Sequence, residues 1–400
     1  MTVAYNPFAP EFYADPRPVY RRLRDEAPAF WSEPAQMWAL SRYDDVRAAL
    51  LDWRTYSSEA GAGSTGPAGG LFRDYPHLLM VDPPRHTDLR RILASLLTPA
   101  RMSALKDSVR QIVTGLLAPF ERAPGFDLSQ DFAQHLPPMV IADLLGIPRG
   151  DAPVLMDAVD RLADYSQPDI VAATEAALAD LRDYFVGYFA ERARRPAGDD
   201  IVWHLLEAAR TGMLAENEAI GFAILVTIAG GETTTKMITN MALLLHRHPD
   251  QRALLVGDPA LIRGGIEEAL RHSGSTQMLT RSLTVDTPLH GQMMRAGQTV
   301  ALIFSAANND ERKFAEPDRF DVKRRLRGDH LAFGGGVHAC LGAPLARLEL
   351  LVCFEELLRR WPEFTIDENA LERHRNPFVT GFKTMPMQFG PAGPGVAAAA

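Results

Sequence analysis

The chain has 400 residues, a formal net charge of −8 and 46% hydrophobic residues. This composition can bury a large core, and the acidic balance argues against a general nucleic-acid partner. Two cysteines, Cys340 and Cys353, are too few for a disulfide framework and favour a reducing cytoplasm. The N-terminus lacks a signal pattern and no window approaches 18 uninterrupted apolar residues, so we expect a soluble protein without a membrane span.

The first hundred residues predict short helices near 18–26 and 43–51, on either side of a strand at 38–40. Residues 57–70 are rich in Gly, Ser and Ala, which predicts a loop that could carry recognition or be a plain surface loop. A helix follows, on which His86 and Arg90 share a face because they are four residues apart. Such a pair could hold an anion, although it is ordinarily a solvated surface.

Residues 100–215 predict an almost wholly helical region, with helices at 102–120, 138–145, 152–163, 170–194 and 199–209. The next predicted helix, 217–248, is apolar on every face from Ile220 to Ile228 and should therefore be buried.

The middle of this long helix carries polar and flexible residues. Two glycines, Gly230 and Gly231, each cost about 1 kcal/mol in a helix interior, and a buried Glu232 needs a partner. A polar, pliable break in a buried helix indicates a functional site. The alternative is structural, since threonines such as Thr233 can bond back to the preceding turn and bend the helix. Lys236 has no explanation in this pattern.

A helix is predicted at 259–272, with Glu268 and Arg271 three residues apart, a spacing that usually gives only a surface ion pair. Strand-like alternation follows at 284–290 and 299–304.

One cysteine lies between four glycines and the predicted helix 343–360. Glycine permits positive φ and close approach of the backbone to a large flat group, and a helix start favours a thiolate at Cys340. A thiolate held this way can bind a soft or borderline metal. The alternatives are an inert core cysteine or a weak dinucleotide fingerprint, which would need a βαβ setting. A phosphate loop would need Gly-Lys-Ser or Gly-Lys-Thr, which is absent.

The run Phe333-Gly-x-Gly-x-His-x-Cys340-x-Gly342 resembles the cysteine-ligand signature of the cytochrome P450 family, and it extends through Ala343, Ala346, Arg347 and Glu349. Ala229-Gly230-x-Glu232-Thr233 resembles the oxygen-activation motif of the same family, and further motifs follow in the family's order between residues 82 and 382. The resemblance implies a mostly α fold with a smaller β region, in one domain over residues 1–390. Haem would be buried between the long helix and the cysteine loop. Residues 391–400 predict a disordered tail.

The resemblance also assigns roles to residues. Haem b would take Cys340 as its axial metal ligand, with Phe333 near the sulfur, and Glu232 and Thr233 would supply protons during oxygen activation. The implied cofactor-binding residues are His86, Arg90, Ala229, Arg281, Phe333, Gly334, His338, Cys340 and Gly342. The implied substrate pocket consists of Leu225, Ile228, Gln277 and Val379. A structural network of Glu268, Arg271 and Arg319 would support the cysteine loop.

The implied activity is a haem-thiolate monooxygenase that inserts one oxygen atom of dioxygen into a small or medium, largely apolar organic substrate. Without a flavin domain or iron–sulfur cysteines, electrons would come from a separate ferredoxin and its reductase. Residues 323–327 are a candidate docking patch or a solvated charge run. Alternatives are desaturation, demethylation, C–C coupling or peroxygenase chemistry at the same site, or a non-catalytic haem-binding sensor.

Overall fold

The computed structural model describes residues 3–13, 15–61, 74–167 and 169–390. Most of the predicted 57–70 loop and the whole predicted tail at 391–400 lie outside the described residues. The α-helices are α1 (Arg17–Glu26), α2 (Tyr43–Leu51), α3 (Arg85–Ala94), α4 (Pro99–Ala104), α5 (Lys106–Leu117), α6 (Leu136–Leu145), α7 (Ala152–Ala163), α8 (Ile170–Arg192), α9 (Ile201–Arg210), α10 (Glu216–Arg247), α11 (Pro249–Gly257), α12 (Ile262–Ser273), α13 (Phe304–Ala307) and α14 (Ala343–Arg360).

The strands are short and form a smaller part of the fold. They are β1 (Ala29–Ser32), β2 (Met37–Leu40), β3 (Tyr56–Ser57), β4 (Gly125–Asp127), β5 (Met278–Leu283), β6 (Thr287–Leu289), β7 (Gln292–Met294), β8 (Thr299–Ile303), β9 (Phe364–Ile366), β10 (Glu372–Arg373), β11 (Phe382–Thr384) and β12 (Pro386–Phe389). This helix-rich composition confirms the predicted α+β class.

Several predicted bounds are confirmed to the residue, namely those of α2, α7 and α14. The single helix predicted at 102–120 is instead two α-helices, α4 and α5, joined at Leu105, followed by a 3-10 turn. The predicted strand 284–290 shortens to β6, which pairs with β7, and the separate strand β5, which pairs with β8 and β3, lies just before it. Pro99 and Pro119 explain the helix bounds, because proline suits a first turn and not a helix interior.

The largest sheet brings together distant parts of the chain in the order β1-β2-β8-β5-β3. Strands β2 and β8 pair in parallel, with Met37 opposite Thr299, and the other neighbours are antiparallel. Apolar side chains from this sheet and from α2 form one core cluster. The sheet therefore fixes β5, with its buried Arg281, against the N-terminal part of the chain.

Helix α10 is the longest helix, and it packs against α6, α7, α8, α9, α12 and α14. It runs unbroken through Gly230 and Gly231, so the expected break in the helix is not found. The two glycines serve close packing: an added Cβ would lie 2.4 Å from Ile141 at Gly230 and 2.7 Å from Met156 at Gly231. Helices α6 and α7 can therefore cross α10 at the polar segment. Within the described ranges, no helix has the length and apolar character needed to cross a membrane.

Candidate active site

The cysteine loop turns back on itself before α14 and presses against the end of α2. Gly334 and Gly336 have φ of +67° and +63°, the left-handed region that glycine enters without a steric penalty. A Cβ at Gly336 would lie 2.2 Å from the Leu50 carbonyl oxygen, so only glycine fits there. The Cys340 amide donates to the Phe333 carbonyl at 2.8 Å, which closes the loop below the thiol.

The Cys340 sulfur lies at the start of α14, as predicted. The amides of Gly342 and Ala343 donate to it, and the charges of Arg90 and Arg347 also favour the thiolate. Desolvation by the surrounding protein outweighs these groups and raises the pKa of the Cys340 thiol above its usual value, although part of the cysteine is exposed. The start of α14 therefore supplies the expected N–H donors, but these donors alone do not convert the thiol to a thiolate. They would stabilise the negative sulfur once a metal ion replaced its proton.

A second set of contacts ties the cysteine loop to α12 and α14. The Arg347 guanidinium stacks 4.5 Å over the Phe333 ring and donates to both oxygens of Glu267 at 2.6 and 2.8 Å. His330 meets the same carboxylate at 3.0 Å. Sequence reasoning missed Glu267, which adjoins the recognised Glu268. The bidentate ion pair fixes the Arg347 charge close to the cysteine.

Two histidines contact each other beside the cysteine loop. The rings of His86 and His338 are 4.3 Å apart, and both side chains are nearly fully buried. Nε2 of His86 and both ring nitrogens of His338 make no hydrogen bond within the described residues, and the closest carboxylate oxygen of Asp82 is 3.7 Å from His338. Burial lowers the pKa of His86 to about 4, so it is neutral at pH 7 and can donate one N–H to an acceptor.

Two arginines complete this part of the site. Arg90 donates to the Ala339 carbonyl at 2.7 Å and so ties α3 to the cysteine loop. Arg281 is 4% exposed, yet within the described chain its guanidinium donates only to the Thr280 carbonyl and forms no ion pair. Burial lowers its pKa to about 10, opposed by the charge of Asp82.

These residues fit a haem. A buried guanidinium and two neutral imidazoles with unused nitrogens are suitable partners for carboxylates such as the haem propionates, because buried polar groups require hydrogen-bond partners. The Cys340 thiol, surrounded by N–H donors and positive charge, is a suitable metal ligand.

Glu232 and Thr233 lie on α10, as predicted, but their contacts differ from a simple acid–alcohol pair. Thr233 Oγ1 donates to the Ala229 carbonyl at 3.0 Å, which is the structural alternative raised by the sequence. Glu232 forms a buried ion pair with Lys236 one turn later. This contact explains the position of Lys236, whose i,i+4 spacing to Glu232 was a signal available in the sequence.

The buried network around Glu268 contains a different arginine from the one predicted. Arg271 donates to both oxygens of Glu268 at 2.8 Å, and the third member is Arg324, at 3.0 Å from Glu268. The prediction of Arg319 was wrong, because that side chain is exposed and faces Glu316 and Asp321. Arg324 also donates to three backbone carbonyls, so it is not available for docking a partner.

The predicted pocket residues fall into two groups, because the Gln277 backbone amide donates to the Phe378 carbonyl at 2.7 Å and so lies beside Val379, apart from Leu225 and Ile228. Leu225 and Ile228 belong to the main core around α10, while Val379 packs with Phe378 in the N-terminal cluster. The Gln277 amide donates to the Gly274 carbonyl at 2.9 Å and lines a cavity of about 110 Å³ beside the N-terminal segment. Their role as one substrate pocket stays a prediction.

Comparison with known proteins agrees with the fold and the site. The Cytochrome P450 family profile matches residues 260–388. Cytochrome P450 monooxygenase PikC of Streptomyces venezuelae is 35% identical over 95% of this chain and 92% of its own length. Cyclomarin C epoxidase CymV of Salinispora arenicola is 33% identical over 92% and 94% of the two chains. The structure of CYP109E1 from Bacillus megaterium in complex with testosterone superposes with a TM-score of 0.88, at 31% identity over 95% and 99% of the chains.

The chain therefore belongs to the cytochrome P450 family. One of these relatives is named a monooxygenase and another an epoxidase, and the protein is accordingly a cytochrome P450 monooxygenase.

Proposed function

We propose that the protein binds haem b through Cys340 and oxidises a largely apolar organic compound with dioxygen and electrons from a ferredoxin. The observation that carries this proposal is the grouping of the Cys340 thiol with the unpaired ring nitrogens of His86 and His338 and with Arg281, a buried guanidinium that has no carboxylate partner within the described residues. A haem with a thiolate axial ligand supplies electron density that promotes O–O bond cleavage. The protein contributes position, protons and exclusion of water.

The chain offers a matched pair of variants to test the ligand. Cys340 and Cys353 are its only cysteines, and Cys353 is fully buried within α14. The spectrum of dithionite-reduced protein under carbon monoxide should show the band that names the family in the wild type and in Cys353→Ala. Cys340→Ala should lose it. The proposal fails if purified wild type binds no haem, or if Cys340→Ala keeps the band.

Four side chains would hold the propionates: His86, Arg90, Arg281 and His338. Arg281 is the most informative because it is buried without a carboxylate partner. Transfer of haem to apomyoglobin should be about 10-fold faster or more for Arg281→Gln, since one charge-assisted bond is worth about 1.5–3 kcal/mol. Arg295→Gln, at an exposed ion pair with Asp286, is the control and should leave the rate unchanged.

Glu232 and Thr233 would supply the protons consumed when dioxygen is reduced. Thr233→Ala should divert electrons from product to hydrogen peroxide, because a hydroxyl that orders a proton donor is lost. An unchanged peroxide yield would favour a binding module or sensor over an oxygenase. The same experiment separates dioxygen use from peroxide-driven chemistry, which should not need the pair.

The substrate would meet α10 at Leu225 and Ile228 and the C-terminal segment at Val379, with Gln277 as a polar contact. All four are apolar or uncharged, which favours a largely apolar compound. Because a similar structure holds testosterone, this steroid is the first probe for a spin-state titration of the haem. A spin shift would place testosterone among its ligands, and the size of the shift would rank other apolar compounds against it.

The electron donor would dock near the cysteine loop at Lys323, Arg325 and Arg327, which are exposed and form no ion pair within the described residues. A ferredoxin with an acidic surface suits this patch. Arg325→Glu/Arg327→Glu should slow haem reduction by a plant-type ferredoxin about 10-fold at low salt, and the difference should vanish at high salt. Equal reduction rates of the variant and wild type at low salt would exclude these residues as the docking site of the electron donor.

A further inference from the structure

Three arginines from distant parts of the chain line one cavity of about 110 Å³. Arg17 is the first residue of α1, Arg247 is the last residue of α10, and Arg373 is the last residue of β10. Asp15 is the one acidic residue in the described part of the wall. Because one water molecule needs about 10–15 Å³, the cavity has room for a small ion together with several waters.

The wall of this cavity does not include the residues assigned to haem. Within the described residues it contains none of the groups around Cys340, and Gln277 is the only residue of the predicted substrate pocket that lines it. The monooxygenase reaction therefore gives the cavity no role, and an inference about it does not depend on the proposed function.

Arg373 has N–H donors without an acceptor in the described part of the chain. Its side chain is half-buried, and it makes no hydrogen bond and no ion pair there. Its guanidinium lies 4.5 Å from the centroid of the Phe382 ring. Such a cation–π contact uses the flat face of the guanidinium, whereas its five N–H donors point outward in the plane of the group. The donors of Arg373 are therefore available to a ligand in the cavity.

The other two arginines differ in how many of their donors are already used. Arg17 is exposed, and its side chain forms no hydrogen bond or ion pair with any residue that the structure describes. Arg247 donates to Glu368 through Nε and Nη2, which leaves Nη1. The hydroxyls of Ser305 and Thr380 in the same wall also make no hydrogen bond within the described ranges. The wall therefore offers unused donors from several elements of the fold.

The charges around the cavity do not cancel. Burial lowers the pKa of Arg373, and the positive charges of Arg247 and Arg17 lower it further. The negative charges of Asp15 and Glu368 oppose this shift. Three guanidiniums thus face two carboxylates, and one positive charge among these groups has no counter-charge. Because like charges repel one another, an anion placed between the guanidiniums would be favoured.

We propose that this cavity binds a tetrahedral oxyanion, either free phosphate or the phosphate group of a small ester. Guanidinium groups bind phosphate oxygens through parallel, charge-assisted N–H bonds. The four oxygens of a phosphate can meet donors that come from α1, α10 and β10, whereas a carboxylate has only two oxygens. The bound anion would join the start of α1 to the end of α10 and to the C-terminal segment, and so would stabilise the folded chain.

The first test measures binding directly. Equilibrium dialysis of the purified holoenzyme against radiolabelled inorganic phosphate, at neutral pH and constant ionic strength, should give one saturable site per chain. Arg373→Gln should weaken this binding about 10-fold or more, because it removes charge-assisted hydrogen bonds. Arg17→Gln, at the exposed rim, should weaken it about 2- to 5-fold. Arg295→Gln, at the exposed ion pair with Asp286, is the control and should bind phosphate like wild type.

Asp15 allows a change in the opposite direction. Its carboxylate lies in the wall and accepts a hydrogen bond from the Arg17 backbone N–H at 3.2 Å. Asp15→Asn keeps an acceptor for this bond but removes the opposing negative charge, so phosphate should bind about 2- to 5-fold more tightly. A cavity that is filled by solvent alone predicts neither change. No saturable binding to wild type, or equal affinities of wild type, Arg373→Gln and Asp15→Asn, would overturn the proposal.

The folding of each variant is checked by far-ultraviolet circular dichroism before phosphate is added. Arg17→Gln and Asp15→Asn replace exposed residues, so their opposite effects test the site even if Arg373→Gln does not fold. The midpoint of thermal unfolding of wild type should also rise with phosphate and not with chloride at the same ionic strength. An equal rise with both salts would contradict a specific site.

Competition experiments identify the source of the anion. Sulfate should displace the labelled phosphate, and acetate at the same ionic strength should not. Displacement by acetate but not by sulfate would overturn the assignment of a tetrahedral oxyanion. Glycerol 2-phosphate is the third competitor. Displacement as strong as that by free phosphate would support a site for phosphate esters, and failure to displace would support a site that accepts only the free anion.

Discussion

Two buried ion pairs in this protein have nearly the same sequence spacing and opposite surroundings. Glu268–Arg271 on α12 is fully buried, and Asn308, Pro317, Asp321 and Arg324 add further hydrogen bonds to it. Glu232–Lys236 on α10 is also buried, but within the described residues Glu232 is the only side chain to which Lys236 donates a hydrogen bond. One pair is tied into several elements, and the other is covered by the C-terminal segment at Gly381.

The difference separates a structural pair from a functional one. A fully satisfied network holds its elements in one arrangement and has no spare donor or acceptor for chemistry. A pair with few partners is not held by other hydrogen bonds, so its donors and acceptors remain available for proton exchange. The two pairs should therefore respond differently when they are broken.

The largest expected effect is at the structural pair. Glu268→Gln should lower the free energy of unfolding by about 3–5 kcal/mol, because it leaves Arg271 buried without a counter-charge. Urea titration followed by far-ultraviolet circular dichroism measures this. Glu316→Gln, at an exposed pair, is the control and should change stability by less than about 1 kcal/mol. A small change in the free energy of unfolding for Glu268→Gln would mean that this network contributes little to the stability of the fold.

The second expected loss of stability follows from replacing Arg324, the arginine that completes this network. Arg324→Ala should cost about 2 kcal/mol, since it removes charge-assisted bonds to Glu268 and to three carbonyls. Arg319→Ala should cost less than about 1 kcal/mol, because its partners are exposed. The same denaturation measurement compares them, and a larger loss at Arg319 would contradict the observed contacts.

The sequence predicted the cysteine loop and the long helix because glycine, proline and apolar periodicity act locally. The bounds of α7 and α14 are set by such signals and are confirmed to the residue. Local patterns could not show whether Arg319 or Arg324 contacts Glu268. The path of the backbone in three dimensions decides which of the two side chains points toward α12. The contact of Met156 with Gly231 likewise depends on how α7 crosses α10. Local patterns do not contain helix-crossing geometry.

The pH dependence of stability gives a third, smaller effect. Burial, with help from Arg17, lowers the pKa of His272, which follows Arg271, to about 3. Between that value and the ordinary value near 6.5, the unfolded chain binds one proton more than the folded chain, so stability falls as pH falls. His272→Asn should make the slope from pH 6 to pH 4 shallower by about 1 kcal/mol per pH unit. Denaturation series at several pH values measure this slope, and Arg319→Ala should leave it unchanged.

The double variant that removes both charges of the Glu232–Lys236 pair should have the smallest effect, and it gives the sharpest test of the comparison. Lys236→Met alone leaves Glu232 buried and unpaired, and should cost about 3–5 kcal/mol. Glu232→Gln/Lys236→Met removes both charges at similar volume, and should differ from wild type by less than about 1 kcal/mol, because the cost of desolvating the pair offsets its attraction. Urea titration of wild type, Lys236→Met, Glu232→Gln and the double variant measures the double-mutant cycle. If the double variant were as unstable as Lys236→Met, the pair would be structural like Glu268–Arg271. If the double variant is as stable as wild type but forms more peroxide, the two charges serve proton transfer and do not contribute to stability.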